Sequence, residues 1–151
     1  MTDLNCTFYR LRKATRRITA LYDAALGKTG LTATQFSVLA MIATAGPRPM
    51  SGLADALGMD ASTLTRTLKP LIKRGDVAIA AGEDKRVKQV ELTDSGRETV
   101  ALALPHWRAA QKAVAQELQG DITRLHDLLS TVSRMPEPDA GSTPERRGAA
   151  D

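Results

Sequence analysis

Apolar residues recur along this chain with a helical period, then with a period of two, then with a helical period again. Leu11, Ala14, Ile18, Leu21, Tyr22 and Ala25 mark one face of a first helix from about Leu4 to Leu26, and Arg10, Arg12, Lys13, Arg16 and Arg17 crowd the rest of its surface. Gly27 to Gly30 interrupt it. Thr32 and Gln35 then read as a capping box, with Leu31 and Phe36 as its hydrophobic staple. That second helix should end near Thr44, before Gly46-Pro47, and bury Phe36, Leu39, Ile42 and Ala43. A short helix from about Gly52 to Leu57 follows, with Ser51 as its expected N-cap and Leu53 and Leu57 facing inward. Gly58 supplies a turn, and Asp60 caps a further helix with Met59 and Leu64 as staple and Leu64, Leu68, Leu71 and Ile72 as its buried stripe.

After Gly75 the period changes to two. Val77, Ile79 and Ala81 alternate with Asp76, Ala78 and Ala80; beyond a polar tip, Gly82 to Arg86, Val90 and Leu92 alternate with Gln89 and Glu91. Past Thr93 the helical period returns on Val100, Leu104, Trp107, Ala110, Val114 and Leu118, and Pro105 predicts a kink or a restart near Leu102. Gly120-Asp121 precedes a last helix striped by Ile122, Leu125, Leu129 and Val132. From Met135 the chain turns rich in Pro, Gly and small polar residues, the composition of a disordered tail.

Two helices around a glycine turn, followed by two strands pinned at a charged tip, have the order of a winged helix-turn-helix. That module lays its second helix along the DNA major groove. The face of that helix opposite its leucines carries Ser62, Thr65, Arg66, Lys69 and Lys73, with Thr63 beside them and Ser51 on the helix before. Short hydroxyls suit base edges and phosphates, and long cations neutralise phosphate or read guanine. A solvated helix face has the same composition; the position just after a helix and a tight turn favours the groove. Lys85, Arg86 and Lys88 on the strand pair are placed to reach an adjacent minor groove or the backbone. Pro70 falls inside the recognition helix, where it removes a donor and opposes the carbonyl of residue 66, so a bend is expected.

The run LADALGMDASTLTRTLKPLIKRGDVAI followed by EDKRVKQVELTDSG resembles the core of MarR-type transcriptional regulators. The likeness covers about Leu11 to Leu129. It rests on the leucine-lined recognition helix, on Asp84-Lys85-Arg86, and on Leu92-Thr93-Asp94-Ser95-Gly96 leading into the next helix. The resemblance implies that Asp84 stabilises the wing and Arg86 enters the minor groove. It also implies a homodimer, and a small-ligand site between the DNA-binding lobe and the dimer helices, often for aromatic acids, for which Tyr22 and Trp107 are the candidates.

Composition narrows the remaining classes. A chain of 151 residues suits one domain with a real core, and two Phe, two Tyr and one Trp leave little to stack on single-stranded bases. The net charge is +4, and residues 136–151 carry four acids against two arginines, which leaves +6 on the remainder and favours a polyanionic partner. One cysteine excludes an internal disulfide and suits a reducing cytoplasm; no apolar run is long enough for a membrane span, and the first residues lack signal-peptide order. No hydrolase elbow, P-loop or HExxH motif is present, and His106 and His126 make no pair at metal spacing, so neither an enzyme nor a cofactor nor a metal is expected.

The expected organisation is a single domain over residues 1–134, mainly helical with a two- to three-stranded wing. A winged-helix lobe spans 31–95, dimerisation helices span 4–27 and 96–134, and the tail spans 135–151. The lobe closes its own core, so the stripes of the flanking helices, at Leu11, Ile18, Leu21, Ile122, Leu125, Leu129 and Val132, want a second copy. The leading reading is a DNA-binding regulator, a repressor on a pseudo-palindromic operator. One rival is a winged helix that binds a protein partner and no DNA; its cationic helix face argues against it, since protein interfaces favour apolar or aromatic anchors. The other is thiol-based sensing at Cys6. A peroxide-sensing branch of the family has a cysteine near the start of the first helix, but Ala33 stands where that branch has a second tyrosine, and its sensing position falls nearer Phe8.

Overall fold

The computed structural model describes residues 5–82 and 87–136. Six α-helices appear in the order α1 Thr7–Leu26, α2 Ala33–Ala45, α3 Met50–Leu57, α4 Ala61–Arg74, α5 Asp94–Glu117 and α6 Ile122–Ser133. The strands are β1 Arg48–Pro49, β2 Val77–Ala81 and β3 Lys88–Leu92. A 3₁₀ turn over Gly27–Thr29 joins α1 to α2. The chain divides into two compact units, residues 1–113 and 114–151.

Helix α2 is the hub of the first unit, packing against α1, α3, α4 and β3. It buries Phe36, Val38, Leu39 and Ile42, more than one stripe, as a helix enclosed on several sides must. Ala43, expected inside, is exposed. The N-terminus of α2 is held three ways. Gln35 N–H donates to Thr32 Oγ1 (3.2 Å), Thr32 N–H donates to Gln35 Oε1 (3.0 Å), and Ala33 N–H donates across to Asp23 of α1 (2.7 Å). Leu31 and Phe36, the predicted staple, are both buried.

The sheet is antiparallel in the order β1-β3-β2, with Arg48 paired to Val90 and Val77 to Leu92. The two-residue strand β1 sits between and upon prolines, and on an edge the missing N–H of Pro49 costs no ladder bond. Its presence moves the start of α3 to Met50, with Pro49 and not Ser51 at the N-cap; Ser51 lies in the first turn, exposed. In the ladder Ile79 opposes Val90, yet Val90 is fully buried and Ile79 is 46% exposed. The central strand β3 is flanked by β1 and β2, while β2 is an edge strand running out from the core beyond Val77. The expected inward row therefore shortens to Val77.

Helix α5 continues without a break across Pro105, so the expected restart near Leu102 does not occur; α4 likewise continues across Pro70. At the entry to α5, Thr93 acts as the cap: its Oγ1 accepts from Gly96 N–H (3.0 Å) and donates to the Gly75 carbonyl (2.5 Å). A Cβ on Gly96 would stand 2.0 Å from the Asp76 carbonyl oxygen, so only glycine permits this contact between α5 and the start of β2. In the second unit, α6 buries no residue at all. The wing tip 83–86 and the tail beyond residue 136 lie outside the described residues.

Candidate nucleic-acid interface

The turn between α3 and α4 is made by Gly58 at φ +61°, with Met59 N–H bonding the Ala54 carbonyl (2.9 Å) and Gly58 N–H that of Asp55 (3.1 Å). This left-handed closure frees the chain to start α4 at once. Asp60 caps α4 as expected: its carboxylate accepts from Thr63 N–H (2.8 Å), Thr63 Oγ1 (2.6 Å) and Ser62 Oγ (2.5 Å). These bonds, led by the Ser62 hydroxyl, hold the Asp60 carboxyl well below the usual carboxylate range. Leu64, Leu68 and Leu71 are fully buried beneath the helix, whereas Ile72, assigned to the same stripe, is 40% exposed. At its far end Arg74 donates from Nη1 to the Gly30 carbonyl (2.9 Å) and brings Nε to 3.0 Å from the buried Asp76 carboxylate. The helix is fixed at both ends and along one side.

What it presents outward is the predicted set: Ser62, Thr65, Arg66, Lys69 and Lys73 are exposed, and Thr63 is half-buried. The structure changes the chemistry of the hydroxyls. Ser62 and Thr63 spend their protons on Asp60, and Thr65 Oγ1 donates to the Ala61 carbonyl (2.7 Å). In this arrangement the hydroxyls offer only lone pairs outward, which fit the amino groups of cytosine or adenine. Arg66, Lys69 and Lys73 have no ion-pair partner among the described residues and supply the donors. Lys88 is exposed at the outer end of β3, and Ser51 is exposed on α3. Asp84, Lys85 and Arg86 fall outside the described residues.

A groove of about 200 Å³ beside this face went unpredicted. It is lined by Thr32, Thr34 and Gln35 of the α2 entry and by Thr63, Arg66, Thr67 and Pro70 of α4. Capping signals at Thr32 marked a helix start; nothing in the linear pattern placed it against Arg66, about two turns into another helix.

The candidate ligand residues are separated. Trp107 stacks on Phe36 with centroids 6.0 Å apart and lines an apolar cavity of about 480 Å³ with Phe36, Met41, Leu57 and Leu104. Tyr22 does not line that cavity; its hydroxyl donates to Gln111 Oε1, and burial pushes its pKa up. Cys6 is exposed at the N-cap of α1. No cluster that could hold a metal occurs among the described residues, and no helix among them is long and apolar enough to cross a membrane.

A helix, a glycine turn, a cation-faced second helix and a three-stranded wing define a winged helix-turn-helix. Residues 31–88 match the model of the MarR family. The M. tuberculosis transcriptional regulator MosR is 37% identical, and its structure superposes with a TM-score of 0.76 over 85% of this chain and 93% of that one. The same protein in complex with DNA gives a TM-score of 0.69 over 87% of this chain and all of that one. A mutant of MarR from E. coli, complexed with operator DNA, is 26% identical, with a TM-score of 0.75 over 82% of this chain and 91% of that one. An uncharacterised HTH-type transcriptional regulator of Bacillus subtilis, YwoH, is 36% identical over 85 residues, 56% of this chain; the chain spans 62% of that relative's length. The chain belongs to the MarR family of transcriptional regulators and is not an enzyme.

Proposed function

We propose that the chain is a cytoplasmic homodimeric repressor that binds a pseudo-palindromic site in double-stranded DNA. The observation that carries this reading is the outward face of α4. Its cations lack acidic partners among the described residues, and the helix beneath them is held by the Asp60 cap, the buried leucines and Arg74. Arg66, Lys69 and Lys73 neutralise phosphate or read guanine, Ser62, Thr63 and Thr65 accept from base amino groups, and Ser51 meets the backbone. Lys85, Arg86 and Lys88 reach the flanking minor groove or the backbone, with Arg86 entering the groove and Asp84 holding the wing by the family resemblance, and the Thr34–Arg66 groove seats a phosphate. The DNA complexes of MosR and of the E. coli protein support the reading. The test is selection of bound fragments from the source genome, followed by titration of one fragment. Wild type should bind with a log–log salt slope of about −0.9 per phosphate neutralised. Arg66→Ala and Lys69→Ala should each flatten that slope by about one contact. Equal slopes for all three proteins would remove α4 from the interface.

The apolar cavity beneath Trp107 supports release by a small aromatic ligand. Beside Trp107 it is lined by Phe36, Met41, Leu57 and Leu104, with Ser37 and Thr44 as its hydroxyls. Trp107 is the sole tryptophan, so benzoate binding there should quench its fluorescence saturably and weaken DNA binding at the same concentrations. Quenching that never saturates would dismiss the cavity as the effector site.

A further inference from the structure

Asp76 is the only charged side chain buried among the described residues, and the DNA-facing surface makes no use of it. It stands between the glycine that ends α4 and the first residue of β2. Its N–H donates to the Leu71 carbonyl in the last turn of α4 (3.0 Å), and its carbonyl accepts from Thr93 N–H at the entry to α5 (3.2 Å). Its Oδ1 accepts from Thr99 Oγ1 within α5 (2.7 Å), and its Oδ2 lies 3.0 Å from Arg74 Nε on α4. Arg74 carries the chain of contacts on to the Gly30 carbonyl (2.9 Å), in the turn after α1. One side chain thus joins α4 to α5 and, through Arg74, to the α1–α2 connection. Such a joint is a poor source of stability. Taking a carboxylate out of water costs more than attraction returns unless its lone pairs are satisfied, and an apolar pair of similar volume often holds a corner as well or better. Here the buried Oδ2 lies near Nε but off its N–H direction, and so has no aligned hydrogen bond. What the joint does supply is direction. The leucine contacts beneath α4 carry no directional term, whereas the Thr99 bond and the guanidinium fix an angle and a register.

We infer that Asp76 is a positioning residue for sequence-specific DNA binding. Held by Thr99 and Arg74, it sets the seat of α4 on α5, and with it the placing of Arg66 and Lys69 against the bases. The inference rests on the reading of α4 as the helix that contacts DNA. Phosphate contacts made without regard to sequence need charge in the right region, while base contacts need the helix at one depth and angle. Loss of the joint therefore separates the two kinds of binding, which a general loss of stability does not.

The test titrates the full-length wild type, Thr99→Val, Thr99→Ser and Arg74→Lys with a genome-selected fragment and with its shuffled sequence at one salt concentration. Thr99→Val removes the donated proton at nearly constant volume and Thr99→Ser keeps it. Arg74→Lys keeps the charge but lacks the planar fork that meets Gly30 and Asp76 together. Thr99→Val and Arg74→Lys should weaken binding to the selected fragment about tenfold or more, as expected when the binding-competent seat loses one charge-assisted hydrogen bond. Binding to the shuffled fragment should not change, and Thr99→Ser should restore the specific affinity. Amide exchange without DNA reads the joint itself: Thr99→Val should speed exchange at Gly75 and Asp76 and leave Leu39 in α2 protected. Equal losses on both fragments, no loss on either, or a Thr99→Ser protein as weak as Thr99→Val would overturn the inference. Unchanged protection at Gly75 and Asp76 would overturn it alone, whereas a wild type that binds both fragments equally would overturn the reading of α4 and the inference with it.

Discussion

Two residues at the corner between α4, β2 and α5 show how tightly a single position is determined. Gly96 leaves no room for a methyl group against the Asp76 carbonyl, and Thr93 holds both sides of the same corner. Gly96→Ala must displace backbone and should destabilise the protein by about 1–3 kcal/mol or more, measured by urea denaturation; an unchanged midpoint would show that the corner yields freely. Asp60 is legible from sequence as a cap, but not the two hydroxyls that fold back onto it, because side-chain rotors follow local geometry that residue spacing does not carry. Its folded carboxyl lies below the ordinary 3.8. The ionised cap therefore contributes stability above that value and loses it as pH falls through the lowered folded value. A carboxyl ¹³C titration should give a midpoint below 3.8, and Ser62→Ala should raise it; a midpoint at or above 3.8 would refute the three-bond cap.

At the scale of elements, strong local signals translated directly. The Thr32–Gln35 box, the Asp60 cap and the leucine spacing of α4 each depend on neighbours within one or two turns, and each stands as read. The misreadings all involve the third dimension. Strand β1 exists only because β3 offers it an edge, and its formation displaced the expected Ser51 cap. Ile79 matched the strand alternation but lies on an edge that the helices do not cover. Pro105 removes one rung from a long helix without ending it. Within α4 the distinction is measurable. Leu68→Ala should cost about 2–5 kcal/mol, as expected for a fully buried leucine. Ile72→Ala, at a position 40% exposed, should cost clearly less; equal losses would restore Ile72 to the buried stripe.

For the whole molecule, the question is what covers the flanking helices. Ile18 is 41% exposed, Leu129 40% and Val132 41%, while Leu11, Leu21, Ile122 and Leu125 are half-buried; Leu128, 57% exposed, joins a set that the sequence pattern had left without it. Apolar stripes of this extent on both terminal segments support assembly with a second copy. The dimer would offer two α4 helices to half-sites about one DNA turn (~34 Å) apart, and linkage of two weak contacts raises affinity by roughly 10²–10⁴-fold. Leu129→Glu places a charge in the proposed interface and should give a monomer that retains every proposed DNA-contacting residue. The most direct measurement is sedimentation of wild type and Leu129→Glu at micromolar concentration, paired with titration of a selected genomic fragment. A dimeric repressor requires a wild-type dimer that binds tightly and a variant monomer that has lost specific binding. A wild type that sediments as a monomer yet binds the same fragment tightly would contradict it.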